Sequence, residues 1–288
     1  MRGLVGRGIV LFIGVTTLSC SVNILESLAD KTTNQALFNE AKDQINNGNY
    51  TGALTTLDSI TGAFATNRAV VALKAEAHAG LCGLRFLPFV AALEGLATTR
   101  LFPLLMSHFR AGTTTATIDS CIQAEDLVES IGSVSARTTD ENLLLVLISF
   151  AKIGNVLSYY ADTDQDGMVT AGYDVCAAGG GTRTAGGDMD DDDVREVGTG
   201  LTLAMANLTA IGSSVSLAGD AVEDMTAVCE ELEDLAPAFN FCTVTDPADF
   251  TANHLLAIRS LLKEDSAVGL DPLGAGCNGD ITVCECFP

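Results

Sequence analysis

The most chemically informative stretch of this sequence is a short acidic segment at residues 162–167, which reads Asp-Thr-Asp-Gln-Asp-Gly. Its carboxylates, on Asp162, Asp164 and Asp166, stand at alternate positions, and Gly167 follows them directly. Carboxylate oxygens at this spacing can converge on one hard cation, while a glycine allows the sharp turn that the chain must make around it. The segment therefore predicts a cation-binding loop.

This spacing resembles the first half of the calcium-binding loop of EF-hand proteins. The resemblance implies a backbone carbonyl ligand at Met168, but the twelfth position, where the family carries a bidentate Glu, is Tyr173 here. A carboxylate from elsewhere must complete the site, either Asp174 or an acid from the run at residues 188–193. We expect a structural calcium site that clamps residues 162–193, with an affinity of about 0.1–1 mM. The candidate ligands are Asp162, Asp164, Asp166, Met168, Asp174, Asp188 and Asp190.

The alternative is that both acidic stretches are solvated surface. Asp192 and Asp193 precede a helical pattern, and acidic side chains in the first turn of a helix complement the positive end of its dipole. For these two residues we expect the solvated arrangement. The dense like charge at Asp162, Asp164 and Asp166 favours a bound cation there.

The N-terminal residues have the pattern of an export signal. Two arginines accompany an apolar run at residues 8–15, and residues 17–20 read Thr-Leu-Ser-Cys. Small or apolar residues just before a cysteine resemble the lipobox of bacterial lipoproteins, and an ordinary secretory leader is the alternative. The resemblance implies cleavage before Cys20, lipidation of Cys20 and a place in the bacterial cell envelope. Because Ser21 is not the aspartate that retains lipoproteins at the inner membrane, we expect the outer membrane.

Charge and hydropathy limit the possible partners. The chain has 37 acidic and 15 basic residues, for a formal charge of −22. Such a field repels nucleic acid and anionic lipid headgroups, so we expect neither as a partner. A membrane-spanning helix needs about 20 apolar residues. The apolar run at residues 143–151 ends at Lys152, so we expect membrane contact through the lipid anchor only.

The cysteines fit an exported protein. Of nine, lipidation of Cys20 leaves an even number, which predicts up to four disulfides whose pairing stays open. Zinc is the rival interpretation, but only one residue separates Cys284 from Cys286, and structural zinc sites use wider spacings. The disulfide candidates are Cys82, Cys121, Cys176, Cys229, Cys242, Cys277, Cys284 and Cys286.

Composition predicts an all-α fold. Hydrophobic residues make up 48% of the chain, aromatic residues only 6%, and tryptophan is absent, which favours close-packed helices of Ala, Leu, Val and Ile. We expect a leader at residues 1–19, a tether at 20–33, and a helical domain at 34–268. An acidic loop at 162–193 is inserted in that domain, and a Cys- and Gly-rich tail at 269–288 is pinned to it by disulfides.

The start of the helical domain suggests a particular architecture. At residues 34–61, two amphipathic patterns are separated by Asn-Asn-Gly-Asn, with Gly48, Tyr50 and Ala53 at the turn and in the second pattern. This arrangement resembles a tetratricopeptide repeat, which implies a helical bundle or short solenoid with a concave binding surface. Any helical hairpin with an Asn-Gly turn is the alternative.

No set of residues predicts catalysis. His78, His108 and His254 stand alone in helical stretches, where we expect satisfied structural roles, and there is no nucleophile elbow or phosphate-binding loop. We therefore expect a protein that is not an enzyme but a scaffold or binding module for another envelope protein or a peptide. The alternative function is a carrier of a small molecule or apolar ligand, with the apolar helices at residues 69–109 lining its cavity.

Overall fold

The fold is described by a computed structural model over residues 32–93, 100–179, 181–212, 219–264, 268–270, 283 and 286. Within these ranges the chain forms ten α-helices and no strand, which confirms the predicted all-α class. The helices are α1 (Asn34–Asn46), α2 (Tyr50–Asp58), α3 (Arg68–Leu81), α4 (Phe86–Leu93), α5 (Leu101–Phe109), α6 (Thr115–Ser130), α7 (Thr139–Ala161), α8 (Asp191–Ile211), α9 (Gly219–Leu235) and α10 (Ala252–Glu264).

Local capping sets where the central helix begins. The Thr138 side chain accepts a hydrogen bond from the Glu141 N–H, and the Glu141 carboxylate accepts one from the Thr138 N–H at 2.7 Å. This capping box satisfies two of the N–H groups that a helix start leaves without partners. The residue pattern Thr-x-x-Glu is itself a sequence signature of this box, and α7 starts directly after Thr138.

Helix α7 is the core of the molecule and packs against α5, α6 and α8. Among the described helices it alone is long and apolar enough to cross a membrane by length and composition. However, 83% of its most apolar window is buried by the rest of the protein. Its apolar side chains are therefore used for packing between helices.

A buried cluster of charges lies where α6, α7 and α8 meet. The ammonium group of Lys152 is fully buried and donates to Glu125, to Glu196 at 2.8 Å and to the Thr199 hydroxyl at 2.8 Å. Burial lowers the pKa of Lys152, but the charges and hydrogen bonds of the two carboxylates outweigh this effect and raise it above its ordinary value. Lys152 therefore lies in the middle of the core helix α7 in its charged form, paired with the two carboxylates.

The first three helices form a smaller core beside the main one. Helices α1 and α2 make the predicted hairpin, and Ala53 at their contact is fully buried. Helix α3 contributes Leu73 to this small core and Ala75 to the main core. It packs mainly against α6, not against α4, which follows it in sequence. The hairpin is thus confirmed, whereas a tandem repeat of it is not seen in the described part of the chain.

Three disulfides connect distant parts of the described chain, which confirms the predicted use of six cysteines. They are Cys82–Cys121, Cys176–Cys286 and Cys229–Cys242. The second links the loop after α7 to the C-terminal region, as expected of a tail pinned by disulfides. Cys20, Cys277 and Cys284, with the expected leader and most of the tether and tail, lie outside the described residues.

Candidate functional site

The acidic loop begins where α7 ends. Asp162 follows the last helical residue and is buried, while Asp164 and Asp166 are exposed. One oxygen from each carboxylate lies within 4.8 Å of the others, so the structure brings three predicted ligands together. The Asp162 carboxylate accepts the N–H groups of Asp166 and Gly167, both at 3.0 Å. Gly167 has a φ of 89°, which few other residues adopt without strain.

The acidic loop concentrates negative charge that no neighbouring cation of the described residues pairs with. Burial raises the pKa of Asp162, and the charges of Asp166 and Asp164 act in the same direction, while the backbone hydrogen bonds oppose them. Within the described ranges none of the three carboxylates forms an ion pair. The nearby Arg110 donates to the Asp166 carbonyl at 3.4 Å. Calcium takes about six to eight oxygen ligands, so this donor set fits part of a calcium shell.

The later positions of the predicted calcium loop are Met168, Tyr173 and Asp174, and the last two make contacts away from the three carboxylates. Tyr173 is directed into the main core, and burial raises its pKa. Asp174 binds Lys263 at 3.1 Å and accepts the Cys176 N–H at 3.1 Å. Met168 has an exposed side chain, and its N–H donates to Asp166 at 2.7 Å. Asp174 therefore does not join the group of three carboxylates.

The Gly-rich loop, which the structure describes over residues 172–179 and 181–187, folds back toward the acidic loop. The Gly186 N–H donates to the Tyr159 carbonyl at 3.2 Å, and Gly186 lies against Thr163. However, the acids that follow do not reach the group of three. Asp188 is exposed, and Asp190 caps α8 by accepting the Asp193 N–H at 2.9 Å. A fourth carboxylate from residues 188–193 is therefore not placed at the site.

The prediction that Asp193 is solvated was wrong. Its carboxylate is fully buried and binds Arg183, and it accepts a hydrogen bond from the Tyr160 hydroxyl at 2.6 Å. Burial raises the pKa of Asp193, although the Arg183 guanidinium opposes the shift. Asp192, at 88% side-chain exposure, is solvated in the first turn of α8 as expected. Asp193 instead ties α8 to the Gly-rich loop and to α7.

A second feature is an apolar cleft between α3 and α7, with a volume of about 660 Å³. The two helices run in the same direction. Arg68 and Glu141 join their first turns, and the Asn155 side chain donates to the Cys82 carbonyl at 2.9 Å at the other end. The helices are thus held together at both ends, and the cleft opens between these ties.

The walls of the cleft come from distant parts of the sequence. Leu144 and Leu147 from α7 face Ile45 from α1 and residues of α3. At the edge of the cleft, Phe86 is 50% exposed, which is high for a side chain of this size. The sequence showed only that residues 69–109 are apolar. It gave no signal that α1 and α7 complete the walls.

Tyr50 closes one part of this wall by packing directly on Gly80. A Cβ atom at Gly80 would lie 2.3 Å from the Tyr50 ring, so only glycine allows the ring to approach so closely. Tyr50 was expected to mark the helical hairpin. The structure places it at the contact of α2 with α3, where it also lines the cleft.

A third feature is a second cavity, of about 500 Å³, which lies among α2, α3 and α6 beside His78 and is more polar than the cleft. The expectation that His78 is satisfied was wrong, since its Nδ1 is buried without a hydrogen-bond partner in the described residues. Burial lowers the pKa of His78, which favours the neutral ring. His108 packs between Phe89 and Phe109, and His254 exchanges hydrogen bonds with Thr251.

Together, the fold and these features define an all-α, disulfide-linked protein with three converging carboxylates in one loop and an apolar cleft. The chain was compared with protein-family models, with curated proteins and with solved structures, and none of them matches it.

Proposed function

We propose that this protein is a non-catalytic, lipid-anchored binding protein of the bacterial cell envelope, and that its apolar cleft holds a segment of another envelope protein. The observation that carries this proposal is the cleft itself. Its walls leave the partly exposed Leu143, Leu144 and Phe86 accessible between two helices that are tied at both ends. Burial of such apolar surface by a partner is favourable, and contiguous apolar surfaces mark interaction sites.

The placement in the envelope has separate support. The N-terminal residues resemble a lipoprotein leader that ends at Cys20. The three disulfides of the described chain are typical of exported proteins, because cytosolic thiols are kept reduced. The high negative charge does not favour direct binding to anionic lipid, which is consistent with attachment through a lipid anchor.

A cleft-blocking variant tests this function. Ala72 lines the cleft on α3, whereas Ala210 on α8 is exposed and lies outside it. A72W should fill the cleft, and A210W adds the same side chain elsewhere. After crosslinking in its own envelope, the tagged wild type and A210W should co-purify one stoichiometric partner that A72W loses. A partner retained by A72W, or no partner at all, would refute binding through the cleft.

The acidic loop supports a structural role for calcium within this protein. The carboxylates of Asp162, Asp164 and Asp166 would bind the ion, and the ion would neutralise their mutual repulsion and hold the loop after α7 in one conformation. With an affinity of about 1 mM, 10 mM calcium would stabilise the fold by about 1.4 kcal/mol. That corresponds to a rise of about 3–6 °C in melting temperature for a chain of this size.

The calcium proposal is tested by D164N with D234N as its control. Asp164 is exposed and its carboxylate forms no hydrogen bond or ion pair in the described residues, so D164N should affect mainly cation binding. Asp234 is an exposed acid on α9, outside the loop. Wild type and D234N should show the calcium-dependent rise in melting temperature, and D164N should lose most of it. If calcium leaves the wild-type melting temperature unchanged, the site is not a calcium site.

A small-molecule carrier is the second candidate function. The cleft volume of about 660 Å³ falls in the range of small-molecule sites, about 300–1,000 Å³. Ala72, Gly80 and Phe86, from the apolar region at residues 69–109, contribute to its walls. Native mass spectrometry of the protein purified from its own envelope distinguishes the two functions. A bound apolar compound that A72W lacks would favour the carrier over the protein-binding function.

A further inference from the structure

One acidic side chain on the α3 wall of the cleft lies among apolar residues. Glu76 lies on α3 among the lining residues, most of which are apolar. In the described part of the chain its carboxylate makes no hydrogen bond and no ion pair. Glu141, at the first turn of α7, also lines the cleft, but Arg68 already binds it and lowers its pKa to about 2. Asp140, at the first turn of α7, also lines the cleft and is exposed, whereas Glu76 lies midway along the α3 wall, where a bound segment would pass.

The surroundings of Glu76 favour a positively charged partner group. Glu76 is exposed at the surface of the cleft, and desolvation by the neighbouring side chains still raises its pKa above the ordinary value, although the charge of Lys42 acts in the opposite direction. An exposed carboxylate beside an apolar wall can form a charge-assisted hydrogen bond with a cation that lies in the cleft. The lining cation, Arg85, follows the C-terminal end of α3 and does not contribute to the shift at Glu76.

The dimensions of the cleft suit a short helix. On α3 the lining residues run from Ala72 to Gly80, which is about 12 Å, or just over two helical turns. A partner helix presents apolar side chains to a groove at positions i, i+3 or i+4, and i+7, which cover the same length. The cleft is partly open to solvent, so an ordered segment can lie in it without threading. The charge of −22 attracts a basic segment in particular.

We propose, on the basis of the binding function argued above, that the cleft binds an amphipathic helix of a partner protein, and that a lysine or arginine at the edge of its apolar face pairs with Glu76. The apolar side chains of the helix contact the leucines of α7. The basic residue sets the register of the helix along α3. Electrostatic pairing of this kind contributes mainly to specificity and to the rate of association.

Synthetic peptides of about four helical turns test this inference by fluorescence anisotropy. All peptides share one apolar face of leucine and alanine. In each peptide a single lysine occupies a different position beside that face, and control peptides carry glutamine or glutamate at the same position. At the best position, the lysine peptide should bind wild type about two- to fivefold more tightly than the glutamine peptide, as expected for an exposed charge pair. The preference should weaken as salt is added.

Two variants connect that preference to Glu76. E76Q should bind the lysine and glutamine peptides equally, and its affinity for the glutamine peptide should match that of wild type, which also shows that the cleft is intact. E40Q removes an exposed carboxylate of α1 that does not line the cleft, and it should keep the preference.

The outcomes separate the two proposals. If all peptides bind wild type equally and A72W abolishes their binding, the cleft is a binding site but the inference about a basic partner is wrong. If E76Q keeps the lysine preference, Glu76 is not the recognition residue. If no peptide of the set binds the folded wild-type protein, both this inference and a helix-binding function for the cleft are refuted.

Discussion

Replacement of Lys152 by methionine should be among the most destabilising single changes in this protein. Methionine has nearly the same length and fills irregular spaces well, so K152M removes the charge without opening a large cavity. The Glu125 carboxylate, which is 4% exposed and binds Lys152 directly, would then be buried without a cation. Removal of one partner from a buried ion pair costs about 3–5 kcal/mol, and we expect K152M to fall in this range.

The pH dependence of K152M distinguishes this mechanism from simple misfolding. Burial already raises the pKa of Glu125 above its ordinary value of 4.5, and loss of the opposing Lys152 charge would raise it further. In the variant the folded state therefore binds a proton that the unfolded state releases above pH 4.5. The loss of stability should be largest at pH 8 and should diminish as the pH falls toward 5.

Urea unfolding followed by circular dichroism suits this test, because the chain contains no tryptophan. K74M serves as the control, since Lys74 pairs at the surface with Asp58, whose side chain is 69% exposed, and the change should cost less than about 1 kcal/mol. The double variant K152M/E125L buries no unpaired charge at these two positions and should recover most of the stability. A loss below about 1 kcal/mol in K152M, or a double variant no more stable than K152M, would refute the reasoning.

Three further predictions concern other contacts. Burial and the charge of Glu125 raise the pKa of Glu129 from 4.5 to about 7, so its contribution to stability is present below pH 4.5 and is lost as the pH rises to 7. E129Q should therefore flatten the stability profile in this window and gain about 1 kcal/mol at pH 8, once solvent screening is allowed for, and an unchanged profile would contradict the assignment. G80A should displace the Tyr50 ring and cost about 1–3 kcal/mol in urea unfolding, whereas a neutral effect would show that the ring is not confined. Replacement of the Cys82–Cys121 disulfide, which closes a loop of 39 residues, by two serines should cost about 4 kcal/mol, and a loss below about 1 kcal/mol would contradict the chain-entropy account.

Features that depend on neighbouring residues could be predicted from the sequence. Thr138 and Glu141 stand three residues apart, so their capping box and the start of α7 were visible without tertiary information. The same holds for the acidic loop, because Asp162, Asp164 and Asp166 converge through local chain geometry alone. The all-α class could be predicted from composition, because residues that favour helices are common along the whole chain.

Features that depend on distant residues could not be predicted in this way. Asp193 stands in an acidic run that is typical of solvated surface, yet Tyr160, 33 residues away, and Arg183 bury it. Lys152 looked like the end of an apolar run, although carboxylates from two other helices stabilise it in the core. The cleft combines residues of α1, α3 and α7, and no local pattern indicates that these helices meet.

Occupancy of the cleft in the cell envelope tests the central claim most directly. Phe86 lies at the edge of the cleft and is half exposed, so a photo-crosslinking phenylalanine analogue can replace it with little change in shape. Met168, which is also exposed but lies in the acidic loop, provides the control position. In cells that naturally make the protein, we predict that illumination links position 86, but not position 168, to one partner, through a helix with a basic residue beside its apolar face. Equal crosslinking from both positions, or none from position 86, would contradict a binding function for the cleft.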